Sequence, residues 1–391
     1  MAMEQKEERS FWRRGKEPVI FLVLFLGFFS LFAGPMGLIN MLNTMMNTAH
    51  DLLMNTVFYL MAICVMAGAL SALLTEFGVV AAVNRLLSPL LGPVYDLPGA
   101  ASLGIVTTFL SDNPAILTLA HDRGFRKYFR RYQLPALTNL GTSFGMGLIV
   151  CTYMLSLQAV TGESYGKAVL VGLAGTVVGS VVSTRLMLRA TKKVYGAEDW
   201  VEEAPGEEGS AAPAPERRSG SVGARLMDAM LDGGKSGVEM GLAIIPGVLI
   251  ICTFVMMLTN GPGEGGIYTG GAYEGVALLP RLAEKARFIL APLFGFSSNE
   301  AVAVPVTALG AAGAAVGLVG KLAGQGLVSG NDVAVFTAMC MCWSGYLSTH
   351  VSMMNSLECN HLVGKAIGSH TVGGLCAGVF SHWLYGLLSL I

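Results

Sequence analysis

"FLSDNPAILTLAHDRGFRKYFRRY", residues 109–132, decides how this chain has to be read. An apolar run stops at Ser111-Asp112-Asn113-Pro114, resumes briefly, and then meets Arg123, Arg126, Lys127, Arg130 and Arg131. Of 391 residues 53% are hydrophobic and only 13% charged, whereas a soluble domain carries about a quarter charged residues. Stretches such as 18–39, 53–74 and 239–258 hold ~20 nearly uncharged residues, long enough to cross a bilayer as helix. The alternating ~10-residue segments of a transmembrane barrel are not visible. The chain reads as an all-α polytopic membrane protein, so a carboxylate inside it needs a physical reason.

Spans are expected at 18–40, 51–75, 132–158, 165–189, 237–259, 331–355 and 363–390. Regions 86–121 and 286–322 are too long for one span and too broken for two. They read as pairs of half-length helices, the mark of re-entrant hairpins. Between the halves, 190–222 is rich in Pro, Gly, Ser and Glu, a solvated linker that buries too little to fold. The segment after it, "ARLMDAMLDGGKSG", reads as a short amphipathic helix on the membrane surface.

The two halves resemble each other. "LLSPLLG" (86–92) matches "ILAPLFG" (289–295), and Gly166-Lys167-Ala168 matches Gly364-Lys365-Ala366, each opening a Gly-rich span. The expected organisation is a cytoplasmic N-terminus (1–17), an extra first span (18–48), repeat 1 (49–189), the linker (190–222) and repeat 2 (223–391). Lys6, Arg9, Arg13, Arg14 and Lys16 precede an apolar run too long for a cleavable signal. Basic residues favour the cytoplasm, which puts the N-terminus, the 123–131 run and the linker inside. Arg281, Lys285 and Arg287 then fall outside, against the rule. The extra span inverts repeat 2 relative to repeat 1, and the localisation expected is a bacterial inner membrane.

Inverted repeats with broken helices are the build of secondary transporters. A broken helix leaves N–H and C=O groups that lipid cannot satisfy but a polar solute or ion can. Asp112 and Asn113 read as one hairpin tip, Ser298, Asn299 and Glu300 as the other, because an ionisable group within an apolar stretch marks a site. "ALTNLGTSFGMG" adds Asn139, Thr142 and Ser143. "MCWSGYLSTHVSMMNS" adds Ser344, Thr349 and His350, with His350 the candidate proton carrier or metal ligand. Singly, such Ser and Thr often bond only to the preceding turn. The seven cysteines lie in or beside apolar segments and are odd in number, which argues for packing rather than a disulfide framework.

No P-loop, GxSxG, HExxH or DxD pattern occurs, so no enzyme is expected, and no nucleic-acid motif is present. The pattern resembles the nucleoside-recognition or Gate-domain membrane proteins, a superfamily that includes concentrative nucleoside transporters, the ferrous-iron transporter core and spore-maturation membrane proteins. The likeness rests on "LLSPLLGPVYDLPGAASLGIVTTFLSDNPA" and on "SSNEAVAV", similar to the Asn-Glu hairpin motif of nucleoside transporters. It implies a substrate role for Asn299 and Glu300, and it sets Ser111–Ala115 where those transporters carry Gln-Thr-Glu-Ala-Pro, with Asp112 matching by chemistry. It also implies a homo-oligomer. The expected function is ion-coupled transport of a polar small solute across the lipid bilayer, with Na+ or H+ as coupling ion and no other cofactor. A membrane assembly or lipid-handling factor and a divalent metal permease are the alternatives.

Overall fold

A computed structural model describes residues 2–113, 115–121, 123–201 and 219–390, with the backbone alone at 2–15, 117, 118, 123, 124, 348 and 349. Among the described residues no β-strand forms, only an isolated bridge between Arg130 and Trp200. Among the described residues, six helical segments are long and apolar enough to cross a membrane: Lys16–Met36, Leu38–Glu76, Ala136–Thr161, Gly166–Tyr195, Val222–Thr259 and Asn360–Leu388. The polytopic all-α class is what the structure has.

In chain order the helices are α1 (Ala2–Met36), α2 (Leu38–Glu76), α3 (Val79–Tyr95), α4 (Ala101–Leu110), α5 (Ala115–His121), α6 (Ala136–Thr142), α7 (Gly147–Ser156) and α8 (Gly166–Tyr195). The second half continues with α9 (Val222–Thr259), α10 (Leu278–Lys285), α11 (Arg287–Phe294), α12 (Ala303–Ala308), α13 (Ala312–Gly324), α14 (Gly330–Cys342), α15 (Tyr346–Ser356) and α16 (Val363–Leu388). One-turn helices fill some of the joins. Both long helices contain a π-helical stretch, Leu52–Val57 in α2 and Gly247–Cys252 in α9.

Several boundaries differ from the sequence expectation. The second span begins at Leu38 rather than near 51, because α2 is one unbroken helix. The segment expected as a surface helix is instead the first part of α9. Its glycines do not end the helix; they pack it. Gly233, Gly237 and Gly241 form one stripe against α2, where a Cβ on Gly233 would overlap the Gly68 carbonyl and one on Gly237 the Cys64 carbonyl. Close backbone approach of this kind needs glycine on the contact face. The pair α8 and α16 repeats the device: a Cβ on Gly175 would run into Ser381 and Ala377, and one on Gly179 into Ala377 and the Gly373 carbonyl. The linker's centre, 202–218, lies outside the described residues; α8 continues to Tyr195 into its start.

The end of the basic run is tied to the segment after α8. Arg130 donates to the Ala197 carbonyl and stacks over Trp200 at 5.1 Å, while Arg131 N–H bonds Asp199 O at 2.8 Å.

Candidate functional site

Four chain breaks meet in the interior. The first separates α4 from α5 at 111–113, and the chain reverses there: a Cβ on Gly104 would overlap Ile116 of the returning arm. The second separates α6 from α7 at 143–146, with Met146 in a left-handed conformation at φ 55°. The third separates α12 from α13 at 309–311, and the two arms pack together. The fourth separates α14 from α15 at 343–345, with Gly345 at φ 70°. Left-handed φ is the conformation glycine adopts most cheaply.

Direct contacts join these breaks. Asn113 Nδ2 donates to the Ser344 carbonyl. A Cβ on Gly145 would overlap Asn113 Oδ1 and lie 2.9 Å from Ser344 Oγ, so only glycine leaves room for the first tip. Gly345 N–H bonds the Ala308 carbonyl at 3.3 Å. Asn113, Thr142 and Ser344 are buried, yet Asn113 Oδ1, Thr142 Oγ1 and Ser344 Oγ have no hydrogen-bond partner among the described residues. Buried polar atoms in native proteins are almost always paired, so this cluster holds donor and acceptor capacity that the chain itself leaves unused. Asp112 is half-buried beside it, its carboxylate receiving the Asn113 N–H at 2.7 Å.

Behind the breaks lies an ordered polar chain. Asn139 Nδ2 donates to Ser183 Oγ at 2.9 Å and to Ala366 O at 3.1 Å. Ser183 Oγ sits 2.8 Å from His370 Nδ1, and His370 Nε2 bonds the Cys342 carbonyl. A carbonyl only accepts, so His370 carries its proton on Nε2. Its Nδ1 must then accept from the Ser183 hydroxyl. His350 packs against His370 with the rings tilted by 42° and their centroids 4.6 Å apart. Its Nδ1 lies 3.1 Å from Tyr346 O and must be the donor, which leaves Nε2 a buried lone pair without partner among the described residues. Ser143 Oγ bonds Asn139 O at 2.8 Å, the ordinary back-bond of a helix.

The second tip needs correction. Residues 297–299 join α11 to the next helical arm and are not the turn between α12 and α13; Glu300–Val302 begins the arm that continues into α12, and the turn is Leu309-Gly310-Ala311. Ser297 bonds Asp332 and Ser298 Oγ donates to Leu327 O, all at the start of α14, whereas Asn113 bonds Ser344 just past its end. Thirteen residues of helix lie between those ends, about 20 Å. Asn299 donates to Glu284 at 2.7 Å and, with Ser298 and Arg287, lines a separate cleft of about 240 Å³. Glu300 is half-buried nearby. The structure therefore brings Asn113 onto Ser344 with Asp112 beside them, leaves Thr142 buried at the end of α6 next to the second break, puts Asn139, Ser143 and His350 in the layer behind, and sets Ser298, Asn299 and Glu300 apart. The side chain of Thr349 and all of Pro114 lie outside the described residues. Sequence reading missed Gly145, Ser183 and the partnership of His370 with His350; the glycine-flanked breaks "TSFGMG" and "WSGY" were the available signal.

All seven cysteines are unpaired. No cluster of three or more His, Cys, Asp or Glu suited to a metal occurs among the described residues.

No family model and no curated protein sequence matches the chain. Among solved structures, a doubly substituted form of the concentrative nucleoside transporter CNTnw in an outward-facing state is similar with a TM-score of 0.54 at 14% identity, over 98% of this chain and 87% of that one. CNTnw in an inward-facing substrate-bound state is similar with a TM-score of 0.51 at 13% identity, over 97% and 86%. At such identities the likeness is one of fold, and along nearly its whole length this chain shares the transporter's helical architecture.

Proposed function

We propose that the chain is an ion-coupled secondary transporter of a polar small solute, working by alternating access in a bacterial inner membrane with its N-terminus in the cytoplasm. The observation that carries this reading is the meeting of four helix breaks around Asn113, Thr142 and Ser344, whose unsatisfied polar atoms suit a visiting solute. The pairs α4–α5 and α12–α13 act as re-entrant hairpins in this reading. Their half-helix ends contribute partial charges at the same place. Asp112 supplies the charge that selects a hydroxyl- or amine-bearing solute. A proton is the coupling ion the geometry favours, because His350 Nε2 is a buried base with no donor of its own. A nucleoside-like solute fits the fold likeness, since the solved neighbours are nucleoside transporters.

The test is a thermal-shift screen of nucleosides and other small polar solutes, followed by uptake of any hit into proteoliposomes. Uptake driven by an imposed proton gradient and lost in His350→Gln supports the reading. A hit whose binding is unchanged in both Asp112→Ala and Asn113→Ala removes the site from this place.

A further inference from the structure

A cleft of about 440 Å³ opens between the last turns of α8 and the start of α16. Arg189 and Lys193 stand one turn apart on α8, and His361 and Lys365 one turn apart around the start of α16. Leu186 and Leu362 supply part of an apolar lining, and among the described residues no carboxylate lines the cleft. The basic side chains differ from their neighbours on the same helix. Arg185 donates to Pro93 O at 2.6 Å and Val94 O at 2.9 Å, and Lys192 pairs with Asp96 at 2.5 Å. Arg189, Lys193 and Lys365 are exposed and make no hydrogen bond or ion pair among the described residues.

Two features make this more than a solvated basic rim. Lys365 lies in the first turn of a 26-residue helix, the end where a cation is electrostatically unfavourable and an anion favourable. His361 is held in place, its Nε2 3.2 Å from Tyr195 OH, with the Arg131 guanidinium 5.3 Å from the Tyr195 ring. Like charges one turn apart on a helix repel, and Arg189 with Lys193 faces Lys365 across the same space. An anion placed there relieves all of these repulsions together.

We infer that this cleft binds a phosphate-bearing anion, with Arg189, Lys193 and Lys365 on its oxygens and the apolar side of the cleft against its carbon part. A tetrahedral, multiply accepting group suits three cationic heads and a helix start better than a single carboxylate does, and the arginine fork adds bidentate contact. The shared chemistry admits two sources, an anionic phospholipid headgroup or a soluble phosphate.

Thermal unfolding of the full chain in neutral detergent separates them. The probes are phosphatidylglycerol, phosphatidylcholine of the same chain length, and inorganic phosphate, all at matched ionic strength. Stabilisation by phosphatidylglycerol but not by phosphatidylcholine or inorganic phosphate identifies a lipid headgroup; stabilisation by inorganic phosphate identifies a soluble ligand. In either case R189Q/K193Q should weaken the half-saturating concentration at least fivefold, while K127Q/K235Q, which removes two exposed charges elsewhere, should leave it within twofold. If R189Q/K193Q does not fold, Lys365→Gln on the opposite wall should give at least a twofold weakening. Absence of stabilisation by every probe, or equal weakening in the two double variants, overturns the proposal.

Discussion

Two turns in this chain, at 111–113 and 309–311, each join a pair of short helices, yet their chemistry differs. The first, Ser111-Asp112-Asn113, is polar and sends Asn113 onto Ser344 of the other half. The second, Leu309-Gly310-Ala311, is apolar. A Cβ on Gly310 would lie 3.0 Å from Ile251 Cδ1, and one on Gly247 2.9 Å from Ala311 Cβ, so this turn packs against the π-helical stretch of α9. One backbone design thus serves chemistry in one half and close packing in the other. Similar backbone turns need not carry similar side-chain chemistry, and the polar atoms where the breaks meet come from the first turn and from Ser344, not from the second turn.

The largest expected effect comes from Gly145→Ala. Its Cβ would displace Asn113 from the meeting point, and overpacking of a filled interior costs roughly 1–3 kcal/mol. Chemical unfolding should show a loss in that range together with abolished solute binding. Next, Asp112→Ala should reduce uptake at least tenfold, whereas Glu300→Ala, removed from the breaks by a helix length, should change it less than twofold. Equal losses would mean that both halves contribute charge to one site, against the asymmetry of the turns. Stability alone should suffer in Ser183→Ala, which removes the hydroxyl that accepts from Asn139 and donates to His370 and leaves a buried imidazole nitrogen unsatisfied. That costs about 1–3 kcal/mol, read as a lowered unfolding midpoint.

The smallest effect lies far from either turn, in the loop after α9. Burial raises the Glu274 carboxyl, but the Thr269 hydroxyl and the backbone N–H groups of Thr269, Gly270 and Gly271 outweigh it and hold it below its ordinary 4.5. A depressed carboxylate stabilises the fold above its unfolded value and loses that contribution as pH falls through the folded one. Glu274→Gln should therefore lower stability at neutral pH by about 1 kcal/mol and flatten the decline on acidification. It should leave uptake unchanged, a control for effects that arise only at the breaks.

Much of this architecture was legible in the chain. Apolar run lengths gave the membrane class, and Ser111–Pro114 marked the first break because a carboxylate, an amide and a proline cannot continue an apolar helix. The second turn was legible only as a Gly-rich interruption between "SNEAVAVPVTALG" and "AAGAAVGLVGKL"; with no polar residue there, the site reading went to Asn299 and Glu300 instead. Asn299 and Glu300 drew attention by charge, although a carboxylate in the first turn of a helical arm is also an ordinary helix start. The segment "ARLMDAMLDGGKSG" read as a surface helix, and only the partner α2 reveals its glycines as a contact face. The pairing of His350 with His370 depends on packing between α15 and α16, which spacing along the chain does not encode.

The crossing of α2 and α9 has a mechanical consequence. Where Gly68 meets Gly233 and Gly237, backbone touches backbone with no side chain between. Such a joint has no rotamers to rearrange and no cushion to compress, so it works as a fulcrum: the two long rods can tilt about it but cannot slide past each other by a turn. Under the alternating access proposed above, the displacement would then fall to the shorter, interrupted elements around this joint, such as the breaks at Gly145 and Gly345.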